Sequence, residues 1–403
     1  MGTSRATFCL LVLLLSALGC AARTRQCPPP NVNPAFLTDL DAAPGEYVPI
    51  DPGVMPRIQQ VAASESAKPA PKLNVLAISG GGMYGAFDVG VLHGWTESGM
   101  RPQFDVVTGV STGALIATFA FLGPEYDEFL RDSYTHASNK DIFSLKRNIP
   151  AALFSDSLAS PEPLRKRIEN AITPEILCEV AAAHAAGRRL YVGTTGLDTR
   201  RLVVWDMGAI ASSDTPDALA LYRKIILASA SIPGFFPPVE IEVQIDGRKY
   251  QELHVDGGAS ASAFVGPSML RLDPHNIRAR AGSNVWVISS GKLYADAECV
   301  KPRLLSISAA AASSMVYAST RSDLYRIFCL TMVSGVNFNL MSVPQEFPLN
   351  PNSLSLKPED MQRLYDEGRR LGKAGDGWRH FPPGTEPSEQ MLPRAGVHFI
   401  TGP

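Results

Sequence analysis

FDVVTGVSTGALIATFAFLG, residues 104–123, sets a short apolar run against a longer one, with Gly-Val-Ser-Thr-Gly at the junction. The first run (104–110) reads as a buried strand and the second (112–123) as a helix. A strand that passes into a helix across G-x-S-x-G has the form of a nucleophile elbow. The glycines let the chain turn sharply. The serine then projects from the corner at the helix N-terminus, where unpaired amides and the helix dipole favour developing negative charge. Ser111 is therefore the candidate nucleophile, and the question becomes what accepts its proton.

Working outward, LNVLAIS (73–79) is a second short apolar run ending in glycines, as a buried parallel strand does, and YGAFDVGVLHGWTESG (84–99) reads as a helix closed by Gly99. Strand–helix–strand–helix with both strands buried argues for an α/β fold, a three-layer sandwich around a mainly parallel sheet. RLYVGTT (189–195), RLVVWD (201–206) and NVWVISS (284–290) are further strands. LKPEDMQRLYDEGRRLGK (356–373) is a late amphipathic helix with acids early and bases late, as the dipole favours. SAAAASSMVYAS (308–319) is small and apolar at helical spacing; core packing is expected of it, with a lipid-facing lid the alternative. No internal repeat is present.

The first nineteen residues, one Arg ahead of the apolar ATFCLLVLLLSALG, have the layout of an export signal and are short for a transmembrane helix. Gly19 followed by Cys20 resembles a bacterial lipobox, although Ala17 stands where that box usually has Leu. The resemblance implies a lipid anchor on Cys20, contact with a membrane surface and an outer-membrane lipoprotein; plain secretion is the alternative. Residues 20–71, with CPPP, APGEYVPIDPG and SAKPAP, read as a proline-rich tether, residues 72–375 as the enzyme domain and 376–403 as an irregular tail. A formal net charge of −2 implies no general attraction to nucleic acid. The cysteines have no zinc-site spacing, and Cys299 with Cys329 is one possible bridge. No metal or organic cofactor is implied.

SGGGMYG (79–85) follows the first strand and opens the first helix. It satisfies G-x-G-x-x-G through Gly80, Gly82 and Gly85, with Asp105 twenty residues on as a ribose-binding acid. Asp105 begins its strand, however, whereas that acid belongs at a strand's C-terminal end, which Ser111 occupies here. The better reading is an oxyanion hole: neighbouring parallel strands bring their C-terminal ends together, so the amides of Gly80, Gly81 and Gly82 can face the carbonyl that Ser111 attacks. For the base, His275 and His398 would suit a triad, but neither sits in a recognisable strand-end loop. LHVDGGAS (253–260) instead ends an extended run in an acid and two glycines. A partly desolvated Asp256 accepting directly from Ser111 would make a dyad. His254, two residues earlier on the same strand face, is expected to pack rather than to tune the aspartate.

Taken in order, SGGGMYG, GVSTG, ASASIPGFFPPV (228–239) and DGG (256–258) make the chain resemble a patatin-like phospholipase over roughly residues 73–375. The resemblance implies a Ser111–Asp256 dyad without histidine, a glycine-loop oxyanion hole and a lipid or phospholipid substrate. The family often has Arg or Lys in the glycine loop where this chain has Tyr84. PGFFPPV is expected to shape a loop beside the site. A short-chain esterase with a Ser-His-Asp triad and a non-catalytic scaffolding lipoprotein are the alternatives.

Overall fold

The structure, a computed structural model, describes residues 25–27, 37–39, 70–145, 157–273, 276–348 and 357–386. The expected signal (1–19), Cys20, most of the tether and the tail beyond 386 lie outside the described residues, as do His275 and His398.

In chain order the elements are β1 (Leu37–Asp39), β2 (Asn74–Ile78), α1 (Gly85–Glu97), β3 (Val106–Val110), α2 (Thr112–Leu122), α3 (Asp127–Thr135) and α4 (Asn139–Ile142). The short strands β4 (Ser144–Leu145) and β5 (Ala159–Ser160) pair with each other, and α5 (Glu162–Ala171), α6 (Pro174–Ala185), β6 (Arg189–Gly196), β7 (Arg201–Asp206) and α7 (Met207–Ala211) follow. The chain continues through α8 (Ala218–Ser229), β8 (Val239–Ile245), β9 (Arg248–Asp256), β10 (Asn284–Ser289), α9 (Leu304–Ser334), β11 (Asn337–Ser342) and α10 (Pro358–Ala374).

Five strands, in the order β6-β3-β2-β10-β11, run parallel and form the centre of the sheet. Alternate residues of β2 face opposite sides. Leu76 and Ile78 enter the apolar cluster built by α1, α2 and α10, while Val75 and Ala77 enter a second one with Leu324 and Ile327 of α9. Helices thus cover both faces, because strands this apolar must be buried on both sides. The mainly parallel three-layer α/β architecture is as the sequence indicates.

Beyond β6 the sheet turns antiparallel, with β7 and β1 along one edge and β9 then β8 along the other. The β8–β9 hairpin turns through Asp246 and Gly247, both at positive φ (50° and 78°), as a two-residue primed turn requires. The register around β6 positions the site. β3 pairs with β6 as far as Val110 opposite Gly193, and there the chain leaves the sheet at Ser111. The vacated edge of β6 is taken by β9, whose Asp256 pairs with Thr194, the next residue along.

Helices α1 and α10 pack backbone to backbone. A methyl group at Gly90 would lie 2.1 Å from the Tyr365 carbonyl, and one at Gly94 2.0 Å from that of Arg369. Reciprocally, Gly368 faces the Phe87 carbonyl at 2.1 Å and Gly372 that of Val91 at 2.2 Å. Each helix offers two glycines four residues apart, on one face, and the other helix fills the gap.

One expectation fails. Residues 308–319 are helical, in α9, but they are not core; nine of the twelve are exposed and none is buried. Cys299 and Cys329 are unpaired and exposed.

Candidate active site

Ser111 sits at φ 55°, ψ −123°, a strained backbone for a residue with a side chain, at the corner between β3 and α2. The corner is tight enough that a methyl group at Gly113 would fall 2.4 Å from the Ile78 carbonyl. Ser111 Oγ donates to Asp256 Oδ2 at 2.6 Å, and both residues are buried. Asp256 Oδ1 accepts from the Gly258 amide at 2.8 Å, which fixes the carboxylate plane and leaves Oδ2 for the serine. Burial pushes the Asp256 carboxyl up to about 6, against the opposing pull of hydrogen bonds from Ser111 and the Gly258 amide. A carboxylate so raised is a stronger base than aspartate in water and is still ionised at neutral pH.

Two serines that the sequence reading passed over hold this pair in place. Ser229, the last residue of α8, accepts from the Ser111 amide at 2.9 Å and donates to the Gly193 carbonyl at 2.7 Å. Two residues on, the Ser231 carbonyl accepts from the Asp256 amide at 2.8 Å. ASASIPGFFPPV therefore pins Ser111 and Asp256 from one short segment. The signal was there, a Ser-x-Ser just past a helix end, but only its long-range partners give it meaning.

The glycine loop lies against Ser111, as expected, with one correction. The Gly80 amide donates to the Ser262 carbonyl at 3.0 Å, so it is not free to receive an oxyanion. The amides of Gly81 and Gly82 have no such partner among the described residues, and Gly82 lines the same cavity as Ser111. Gly81 admits no side chain, because a methyl group there would lie 2.3 Å from Ser290 Cβ and 2.4 Å from the Ser290 carbonyl. Tyr84, where the family often has a cation, is buried against Gly291.

Beneath the loop, Asp88 is fully buried, with its Oδ2 in hydrogen-bond contact with Ser290 Oγ and its Oδ1 unpartnered. Burial holds its carboxyl well above the usual range. Ser290 also contacts the Ser79 carbonyl at 2.9 Å and has only one hydrogen to give. The balance is met when neutral Asp88 donates to Ser290 and Ser290 donates to Ser79.

A cavity of about 320 Å³ opens from Ser111. Its wall is largely apolar, including Met83, Leu115, Phe119 and Ile168. Phe235 and Phe236 also line it, so PGFFPPV faces the site as well as shaping its rim. Arg167, half-buried in the same wall, donates to the Ser133 carbonyl at 2.6 Å, and its charge helps to lower the Asp141 carboxyl.

The rival residues stand elsewhere. Asp105 accepts from the Asn74 amide at 2.8 Å, at the start of β2 and β3 and so at the opposite end of the strands from the glycine loop. His254 is buried between Thr194 Oγ1 and Glu252 Oε2, at 3.0 Å from each, while Trp205 Nε1 donates to the same threonine at 2.8 Å. That network ties β9 to β6 and β7, which is the packing role expected of it. Among the described residues no group of three or more His, Cys, Asp or Glu could hold a metal.

By class the chain is a lipid acyl hydrolase on an α/β fold. Residues 76–267 match the family model of patatin-like phospholipases. No curated protein matches the chain in sequence. Among solved structures, VipD from Legionella pneumophila is 12% identical, with a TM-score of 0.35, covering 91% of this chain and 74% of VipD. The type III effector protein ExoU is also 12% identical, with a TM-score of 0.21, covering 76% of this chain and 53% of ExoU. Likenesses this remote do not bear on the chemistry of the site.

Proposed function

We propose that the chain is a phospholipase of the A or lysophospholipase type, working through a Ser111–Asp256 dyad. The observation that carries this reading is the 2.6 Å contact from Ser111 Oγ to Asp256 Oδ2 at a buried strand–helix corner. Ser111 Oγ attacks the ester carbonyl as its proton passes to Asp256, and the oxyanion rests on the Gly81 and Gly82 amides. Collapse expels the glycerol alkoxide, which takes the proton from Asp256. Water then attacks the acyl-serine, gives its proton to Asp256 and releases the fatty acid as Ser111 recovers its hydrogen.

The apolar cavity suits an acyl chain, and the Arg167 guanidinium in its wall suits a phosphate-bearing substrate over a neutral glyceride. Export with a lipid anchor on Cys20 belongs to the same proposal, since it would keep the enzyme beside its substrate.

The test incubates the purified chain with mixed phospholipid vesicles and reads products by mass spectrometry beside a Ser111→Ala control. Serine-dependent release of fatty acid and lysophospholipid, or of fatty acid from lysophospholipid, is expected. Cleavage of short-chain esters alone would replace the reading with an esterase, and full activity in Ser111→Ala would end the dyad assignment.

A further inference from the structure

Helix α9 is far longer than the sheet it crosses. Its 31 residues span about 46 Å, whereas the six-residue β11 that follows it spans about 20 Å. The helix returns from the C-terminal end of β10 to the start of the parallel β11, so it runs antiparallel to both. Its second half packs on the sheet through Leu324, Ile327, Thr331 and Ser334, a buried face at helical spacing. Its first half therefore overshoots the edge that carries Ser111.

Where the two halves meet, α9 grips the site. Asp323 Oδ2 accepts from the Ser262 amide at 2.7 Å and Thr320 Oγ1 donates to Ser262 Oγ at 2.9 Å; the Ser262 carbonyl in turn holds the Gly80 amide.

The projecting half has an unusual surface. Residues 304–320 carry no formal charge. Leu304, Met315 and Val316 are 80%, 72% and 57% exposed, and residues 311–316 are exposed in succession, more than a full turn, so no face is covered. Leu304, Ile307, Met315 and Val316 fall on one side of the helix and Ser306, Ser313, Tyr317 and Thr320 on the other, and with no charge on either side the helix suits the plane of a lipid interface. Exposed Lys301 and Arg303 stand just before its N-terminus, placed for anionic headgroups. No helix among the described residues is long and apolar enough to cross a membrane.

We propose that residues 304–319 of α9 form a lipid-docking helix, which enters the bilayer surface and brings the Ser111 edge down onto it. The proposal draws on the acyl-hydrolase reading only in taking lipid as the substrate.

The experiment places a reporter in the helix of the full chain. Met315→Trp is made in the Ser111→Ala background and mixed with phosphatidylcholine–phosphatidylglycerol vesicles brominated in their acyl chains. Its added emission is expected to be quenched, with no quenching in the parent carrying only the four native tryptophans. An N-terminal anchor alone would bring the protein to the vesicle without quenching that reporter. Separately, Met315→Asp with Val316→Asp, in the active chain, should lower kcat/KM on vesicles about tenfold or more and leave a soluble short-chain ester unaffected. Unquenched emission overturns the proposal, whether the helix stays in water or sedimentation shows it covered by a second copy or another protein. Equal losses on both substrates overturn it as well. Quenching without Ser111-dependent turnover on any ester would sink the acyl-hydrolase reading and leave the docking helix standing.

Discussion

At the scale of single residues, the site sets two buried carboxyls in opposite roles. In the proposed dyad Asp256 must ionise to act, so kcat/KM should rise with pH through about 6 and level off above it. The same shift costs stability. The folded-state value is raised above that of the unfolded chain, so the contribution is favourable below pH 4 and is lost as pH climbs through about 6. Asp256→Asn should therefore stabilise the fold at pH 7.5 by up to about 3 kcal/mol while abolishing turnover, with the gain gone at pH 4. Thermal melts at the two pH values check this. Asp88 is the reverse case, an acid that works by staying neutral. Asp88→Asn, which still donates, should keep fold and activity, whereas Asp88→Ala should cost about 1–3 kcal/mol by stranding Ser290; denaturant titration distinguishes them. The contact of Asp88 with Ser290 could not be read from the sequence. Ser111 was legible because a strand, a glycine-flanked turn and a helix are local. Asp256 stands 145 residues away, and the residues alone left it an ordinary Asp–Gly turn until the ordered resemblance linked the two.

At the scale of elements, sign decides. Ala at a helix interior normally gains about 1 kcal/mol over Gly. At Gly368 the added methyl would meet the Phe87 carbonyl at 2.1 Å, so Gly368→Ala should lower the melting temperature despite its better propensity. An unchanged or higher value would show that α1 and α10 can move apart freely. The cavity gives a second expectation: Arg167→Gln should raise KM about tenfold for phospholipid and leave neutral acyl esters near normal, measured on both substrates. The parallel core was readable because its apolar runs are short and end in glycines. The β8–β9 hairpin carried a readable Asp-Gly signal at 246–247 that went unused. Helix α9 misled for a physical reason: an uncharged run of small and apolar residues is ordinarily enclosed by protein, and sequence does not say what encloses it.

At the scale of the whole molecule, two features would hold the enzyme at a membrane, the proposed anchor on Cys20 and the projecting half of α9. They separate by fractionation. Cys20→Ser should move most of the exported chain from the membrane pellet to the soluble fraction if the anchor dominates. A chain that stays in the pellet and is released only when Met315→Asp and Val316→Asp are added would put α9 first.

The handover on β6 has a consequence for the life of the polypeptide. Ser111 leaves the sheet where β3 ends, and the base arrives on a strand made 145 residues later, occupying the edge that departure left open. On the proposed dyad, a chain in which β9 has not yet joined β6 carries its serine without a proton acceptor, so chemistry waits on completion of the sheet.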